Sequence, residues 1–146
     1  SYTLDKDVVE RQDIDKVCIS EISGKIFEMI DAIGNKKQKR ALDLYYDLIA
    51  TRYAPMKIIY MLSRQFNIMY QVKEMSLKGY PAADMAKKMG MQNFVVNKTL
   101  GQCKNFKLVT LKNAIKYCLK LEESIKLGNM NEKMAVELII VKYSIS

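Results

Sequence analysis

PMKIIYMLSRQFNIMYQVKEMSLKG, residues 55–79, is the stretch whose reading decides the fold. Pro55 brings the fixed φ that suits the first turn of a helix, and Gly79 suits its end. Between them the polar residues Lys57, Tyr60, Arg64, Asn67, Gln71, Glu74 and Lys78 recur every three or four positions. On a 3.6-residue helix that spacing makes one narrow wet stripe. The rest is largely apolar, including Ile58, Ile59, Met61, Leu62, Phe66, Ile68, Met69, Val72 and Met75. The pattern predicts the longest helix of the chain over Met56–Lys78. A helix apolar around so much of its girth is either central to the fold or covered by another subunit.

The same periodicity continues on both sides. Upstream, Asn35 is expected to cap a helix that buries Ala41, Leu42, Tyr45, Leu48 and Ile49. Its opening run of Lys36, Lys37, Lys39 and Arg40 places positive charge at the positive end of the dipole, which is locally unfavourable. Before it, a helix starting at Ser23 or Gly24 turns Ile26, Phe27, Ile30 and Ile33 to one face, and Gly34 ends it. A weaker helix is expected from Thr3 to about Lys16, with Thr3 as cap and Asp5 and Asp7 in its first turn. The chain opens at Ser1 within an apparent helical pattern, as a cut piece would. Downstream, Pro81 starts a short helix that ends at Gly90, and Asn93 caps another to about Lys104. Thr110 caps a long helix over Leu111–Leu127, with Leu111, Ala114, Ile115, Cys118, Leu121 and Ile125 inward and Lys112, Lys116 and Lys120 outward. Gly128 stops it. Asn131 caps the last helix, with Met134, Ala135, Leu138 and Ile139 inward. No strand pattern of useful length appears. Short loops between helices imply an antiparallel, all-α bundle of six to eight helices.

The composition agrees with one folded domain: 146 residues, 49% of them hydrophobic, with two prolines and six glycines. The most apolar run, Leu138–Val141, is far shorter than the roughly 18 residues a membrane span requires. Ser1–Arg11 is too polar for a signal peptide, so a cytoplasmic location is expected. Cys18, Cys103 and Cys118 show no CxxC spacing, and an odd number argues against a disulfide framework. They read as small buried apolar residues. The net charge of +8 would attract polyanions such as nucleic acid, although solvated lysines account for it equally simply.

The residues able to do chemistry are few. Without histidine there is no imidazole base, no triad and no His-metal site. No GxxxxGK[ST] phosphate cradle is present. Glu122 and Glu123 are adjacent, so on a helix they splay by about 100° and do not face each other. No catalytic residue, cofactor or metal is expected. One pattern has a different meaning. Residues 84–106 read like a helix-turn-helix, with Ala86 in the first helix, Gly90 in the turn and Val96 in the second. That pattern would direct Asn97, Lys98 and Gln102 at DNA. Against it, the second helix lacks arginine, and Phe94 and Phe106 bracket it as core residues would.

Taken in order, several phrases resemble the C-terminal part of the bacterial DNA polymerase III delta subunit. They are Ile26-Phe27-Glu28-Met29-Ile30-Asp31-Ala32-Ile33, then Ala41-Leu42 with Leu48, then Arg64-Gln65-Phe66. Met85-Ala86, Met89-Gly90, Phe94-Val95-Val96-Asn97-Lys98 and Lys126-Leu127-Gly128 follow. No single phrase is specific; the ordered set is, and it covers essentially the whole chain. The resemblance implies an all-α collar domain over 21–146, with 1–20 the tail of a preceding lid domain. It implies no catalysis by this fragment, although the holoenzyme is a DNA-directed DNA polymerase. The implied partners are delta-prime and the ATPase tau/gamma-type subunits through collar contacts. The sliding clamp would be met through an N-terminal AAA+-type module, and primed DNA weakly or indirectly.

The function expected from all this is assembly within a loader that places the sliding clamp on primed DNA. The alternative is a stand-alone helix-turn-helix DNA-binding domain. Met61, Ile68, Met75, Lys116, Lys120, Met134 and Tyr143 are expected to touch the neighbouring subunits. Lys126, Leu127 and Lys133 are the expected DNA-proximal residues. Leu127 offers a base no aromatic face to stack on.

Overall fold

The computed structural model describes residues 9–145, and of residues 9–20 the backbone path alone. It contains seven helices among these residues: α1 (Val9–Gly34), α2 (Gln38–Ala50), α3 (Pro55–Leu77), α4 (Ala82–Met89), α5 (Asn93–Cys103), α6 (Leu108–Lys126) and α7 (Glu132–Tyr143). The all-α expectation therefore holds. Helix α3 is the axle: it packs against α1, α4, α5, α6 and α7. Its Ile58, Ile59, Leu62, Phe66, Met69 and Val72 are buried. Burying such side chains contributes about 1.5–3 kcal/mol each, so packing far outweighs any cap in fixing α3. The predicted wet stripe is exposed, with Glu74 half-buried. Phe66 meets Phe106 edge-on at 6.1 Å and Tyr143 at 6.4 Å, joining α3, α7 and the α5–α6 turn.

Several boundaries differ from expectation. The break foreseen near residues 17–22 is absent: α1 runs unbroken and, at 26 residues, is longer than α3 at 23. A lone serine or glycine inside a helix costs at most about 1 kcal/mol, too little to stop it without a proline. The expected cap Thr3, with Asp5 and Asp7, lies outside the described residues. Asn35 is not a helix cap; it sits in the turn after α1, where its Nδ2 donates to the Asp31 carbonyl at 2.9 Å. Lys36 takes a left-handed φ of 61°, which delays α2 to Gln38. Asn93 and Thr110 are inside their helices, because Gln92 and Lys107 hold the extended backbone that precedes each first turn. Asn131 does cap α7: its Oδ1 accepts from Met134 N at 3.0 Å. Gly34 ends α1 for another reason than left-handed backbone. A Cβ there would lie 2.7 Å from Phe106 Cε1 and 2.9 Å from Asn105 Cβ, so glycine lets α1 press against the α5–α6 turn.

Three of the four unfavourable cations at the start of α2 have partners. Lys36 Nζ donates to the Tyr143 carbonyl at 3.4 Å, at the negative end of α7. Lys39 pairs with Asp43 at 3.2 Å and Arg40 with Glu28 at 3.7 Å; exposed pairs like these contribute little. Helices α2 and α7 are tied by Tyr45 OH to the Lys133 carbonyl (3.0 Å) and by Tyr46 OH to Glu137 (2.6 Å). Glu132 accepts from Met56 N at 3.2 Å, satisfying one free amide of the first turn of α3. No helix among the described residues is long and apolar enough to cross a membrane.

Candidate functional site

Two grooves in the helical surface gather four of the seven expected contact residues, Lys116, Lys120 and Tyr143 in one and Ile68 in the other. The first lies along α6 and α7. Its lysines stand at four-residue intervals on α6, and Lys112, Lys116 and Lys120 are all exposed, a rise of about 6 Å from each to the next. Lys116, Lys120, Tyr117, Lys142 and Tyr143 line a groove of about 420 Å³. Lys142 Nζ sits 5.0 Å from the Tyr117 ring and 5.9 Å from the Tyr143 ring, within cation–π range. Tyr117 and Tyr143 meet edge-on at 6.0 Å. Thus Lys116, Lys120 and Tyr143 share one groove.

Within that set the side chains differ in character. Tyr143 is buried, and its hydroxyl has no hydrogen-bond partner among the described residues. Burial, followed by Cys118 and Tyr117, raises its pKa to about 12. Met134, expected inward, is 53% exposed; α7 instead buries Ala135, Val136, Ile139, Ile140 and Tyr143. Leu138 is half-buried. Two helix positions separate Val136 from Met134, a turn of about 200°, so both could not face the core. Leu119, 55% exposed, lines a neighbouring groove that also includes Lys116, Lys120 and Lys126.

The second groove, of about 410 Å³, lies between α1, α3 and α5 and includes Phe27, Arg64, Ile68, Met91, Phe94 and Lys98. Sequence reasoning missed it by taking Phe94 for core. Phe106 is indeed buried, but Phe94 is 61% exposed. The signal was in the register: α5 buries Val96, Thr99, Gln102 and Cys103, and Phe94 lies about 200° from Val96. Of the three α3 candidates, Ile68 lines this groove. Met61 and Met75 are half-buried against the core, and Met61 Sδ accepts from Tyr53 OH at 3.4 Å.

The helix-turn-helix reading does not survive α5. Gln102, meant to face DNA, is 2% exposed. Its Nε2 donates to the Phe27 carbonyl at 2.9 Å, and its Oε1 accepts from Gln65 Nε2 at 3.2 Å. Lys98 Nζ lies 4.7 Å over the Phe27 ring. The would-be recognition helix turns these two groups toward α1 and α3, leaving Asn97 exposed.

The remaining candidates sit at the α6–α7 turn. Lys126, Leu127 and Lys133 are exposed, Leu127 to 69%. Gly128, at φ 80°, closes α6 with Asn129 N donating to the Ser124 carbonyl at 2.8 Å. Cys103 and Cys118 are buried as expected, and burial pushes their thiols up to about 11 and about 12. Cys18 lies among residues whose side chains are not described. Among the described residues no group of three His, Cys, Asp or Glu side chains is placed to hold a metal.

Comparison with known proteins gives consistent results. A family model described as "DNA polymerase III delta subunit, C-terminal domain" matches residues 23–143. The DNA polymerase III subunit delta of Bacillus subtilis (strain 168) is 25% identical over 142 residues, which is 97% of this chain and 41% of that protein. The solved structure of the Bacillus subtilis DNA clamp loader delta protein (YqeN) superposes with a TM-score of 0.80 at 26% identity. It covers 84% of this chain and 36% of the other. The chain thus spans about two-fifths of the length of the curated relative it matches.

Proposed function

The chain belongs to the family formed by the C-terminal domains of DNA polymerase III delta subunits, and from that premise we propose that it is the collar by which a delta subunit joins a sliding-clamp loader. The role is non-catalytic: a rigid bundle presents apolar strips, rimmed by lysine, to neighbouring subunits. The observation that carries the reading is the set of large apolar side chains left on the surface by a bundle whose core is otherwise closed. Phe94, Leu119 and Met134 are each more than half exposed, and two of them line grooves together with lysines. Apolar surface grouped with a polar rim is what a protein interface uses.

The proposed unit is 21–146, with 1–20 as the tail of a lid domain; the family match begins at residue 23, and α1 runs on unbroken across the proposed boundary. The proposed partners are delta-prime and the ATPase tau/gamma-type subunits. The sliding clamp would be engaged by an N-terminal module of the full protein, and the work would take place in the bacterial cytoplasm. Met61, Ile68, Met75, Lys116, Lys120, Met134 and Tyr143 remain the proposed contacts. Tyr143, being buried, would act through the groove it helps to form. The test is co-migration of the full-length polypeptide with the other loader subunits on a sizing column, without ATP. A stable mixed complex is expected, and its absence would refute the assembly role. Contact with primed DNA is proposed to be weak and to involve Lys126, Leu127 and Lys133. Counterion release then requires that it disappear as salt is added. Salt-resistant binding to one defined duplex sequence would contradict this.

A further inference from the structure

We propose that the groove between α1, α3 and α5 receives an acidic amphipathic helix from one neighbouring subunit, with Phe94 as the anchor of the contact. The inference rests on the assembly reading and adds to it the place of contact and the chemistry of the partner.

The apolar part of the groove consists of Phe27, Ile68, Met91 and Val95, all half-buried, with Phe94 standing largely free beside them. Among the described residues, Arg64 and Lys98 are the charged side chains that line it, and no carboxylate does. Neither cation has an acidic partner within salt-bridge distance among the described residues. Lys98 is held at the groove by its position over the Phe27 ring. An occupant must therefore bring an apolar side chain to cover Phe94 and carboxylates to meet the two cations, of which Lys98 is held over the Phe27 ring. An amphipathic helix does both, with an apolar side chain at one position and acids one turn to either side.

The competing occupants fit less well. A nucleic-acid strand is bound by a run of cations that tracks its backbone, and here two cations flank an apolar surface. A small free anion would find charge but no use for the apolar part. An added β-strand needs a sheet edge, and there is none among the described residues.

The experiment uses the full-length polypeptide and the other loader subunits, with affinity measured by sedimentation at two salt concentrations. Phe94→Ala is expected to weaken assembly roughly thirtyfold, the loss typical of an aromatic anchor. The double variant Arg64→Glu with Lys98→Glu is expected to weaken it too, with added salt now restoring binding instead of reducing it. Lys87→Glu, an exposed α4 position outside the groove, should change nothing. Unchanged melting temperatures would show that these surface variants fold. Normal assembly by both groove variants would overturn the inference while leaving the assembly reading intact. Loss of primed-DNA binding with assembly unaffected would also overturn it and assign the groove to nucleic acid. Failure of the unaltered protein to assemble would remove the assembly reading and this inference together.

Discussion

Replacing Gly34 with alanine should destabilise the domain, although alanine is the better helix former. The new methyl would lie 2.7 Å from Phe106 Cε1, 2.9 Å from Asn105 Cβ and 3.0 Å from Phe106 Cζ. The Phe106 ring cannot easily withdraw, since it is 5% exposed and packed edge-on against Phe66. Overpacking of this kind costs about 1–3 kcal/mol. Helix propensity returns at most about 1 kcal/mol, and less at a helix end. The net expectation is a loss of about 1–2 kcal/mol, or about 3–8 °C in melting temperature for a chain of this size. Gly101→Ala is the internal control. It lies within α5, has ordinary φ, and a Cβ there meets nothing within 4 Å. It should stabilise by about 0.5–1 kcal/mol. Urea unfolding at pH 7 measures both, with midpoints moving in opposite directions at constant slope. If Gly34→Ala raised the midpoint as Gly101→Ala does, the close approach of α1 to the α5–α6 turn would be wrong.

Arg52→Gly should raise stability by up to about 1 kcal/mol, because Arg52 holds a left-handed φ of 64° at the end of α2 that glycine adopts freely; a lowered urea midpoint would contradict it. Tyr143→Phe should stabilise by about 1 kcal/mol, since it removes a buried hydroxyl that has no partner among the described residues, and a clear loss in calorimetry would reveal a partner for that group. Above pH 9 stability should fall: the Cys103 and Cys118 thiols ionise near their ordinary 9.0 in the unfolded chain but only near about 11 and about 12 in the fold. The unfolded state then binds fewer protons across that window, which gives a negative slope. A flat urea midpoint from pH 9 to 11 would contradict it.

The fold was legible because the helical period is strong wherever packing is one-sided. Residues 55–79 carry it on their own, and Gly79, Gly90 and Gly128 mark real left-handed helix ends. The missed boundaries have a common cause. Asn35, Asn93 and Thr110 are good capping residues by type, yet the helices start after Lys37, Gln92 and Lys107, whose side chains make no cap hydrogen bond and announce nothing. The left-handed φ at Lys36 and Arg52 was invisible because neither residue type favours it. The site was half legible. The four-residue spacing placed Lys116 and Lys120 on the exposed face of α6, whereas Phe94 was hidden by assigning it to the core without tracing the phase of α5. Gln102 was misread because a buried glutamine looks the same in sequence as an exposed one.

The bonds of Gln102 act as an index mark on α5. An all-apolar seam would tolerate slippage, since one methylene replaces another at small loss. Rotating α5 by one residue would swing Gln102 through about 100°. It would break the bond from Gln102 to the Phe27 carbonyl and the bond from Gln65 to Gln102, at about 1 kcal/mol each. Two such losses hold misphased arrangements to roughly one molecule in thirty or fewer. The helix therefore has a single azimuth, and Phe94 points outward in nearly every copy of the protein. An aromatic side chain displayed at one fixed angle has little orientational freedom left to lose when something lands on it. A polar contact inside the bundle thus sets the direction of an apolar one on its surface.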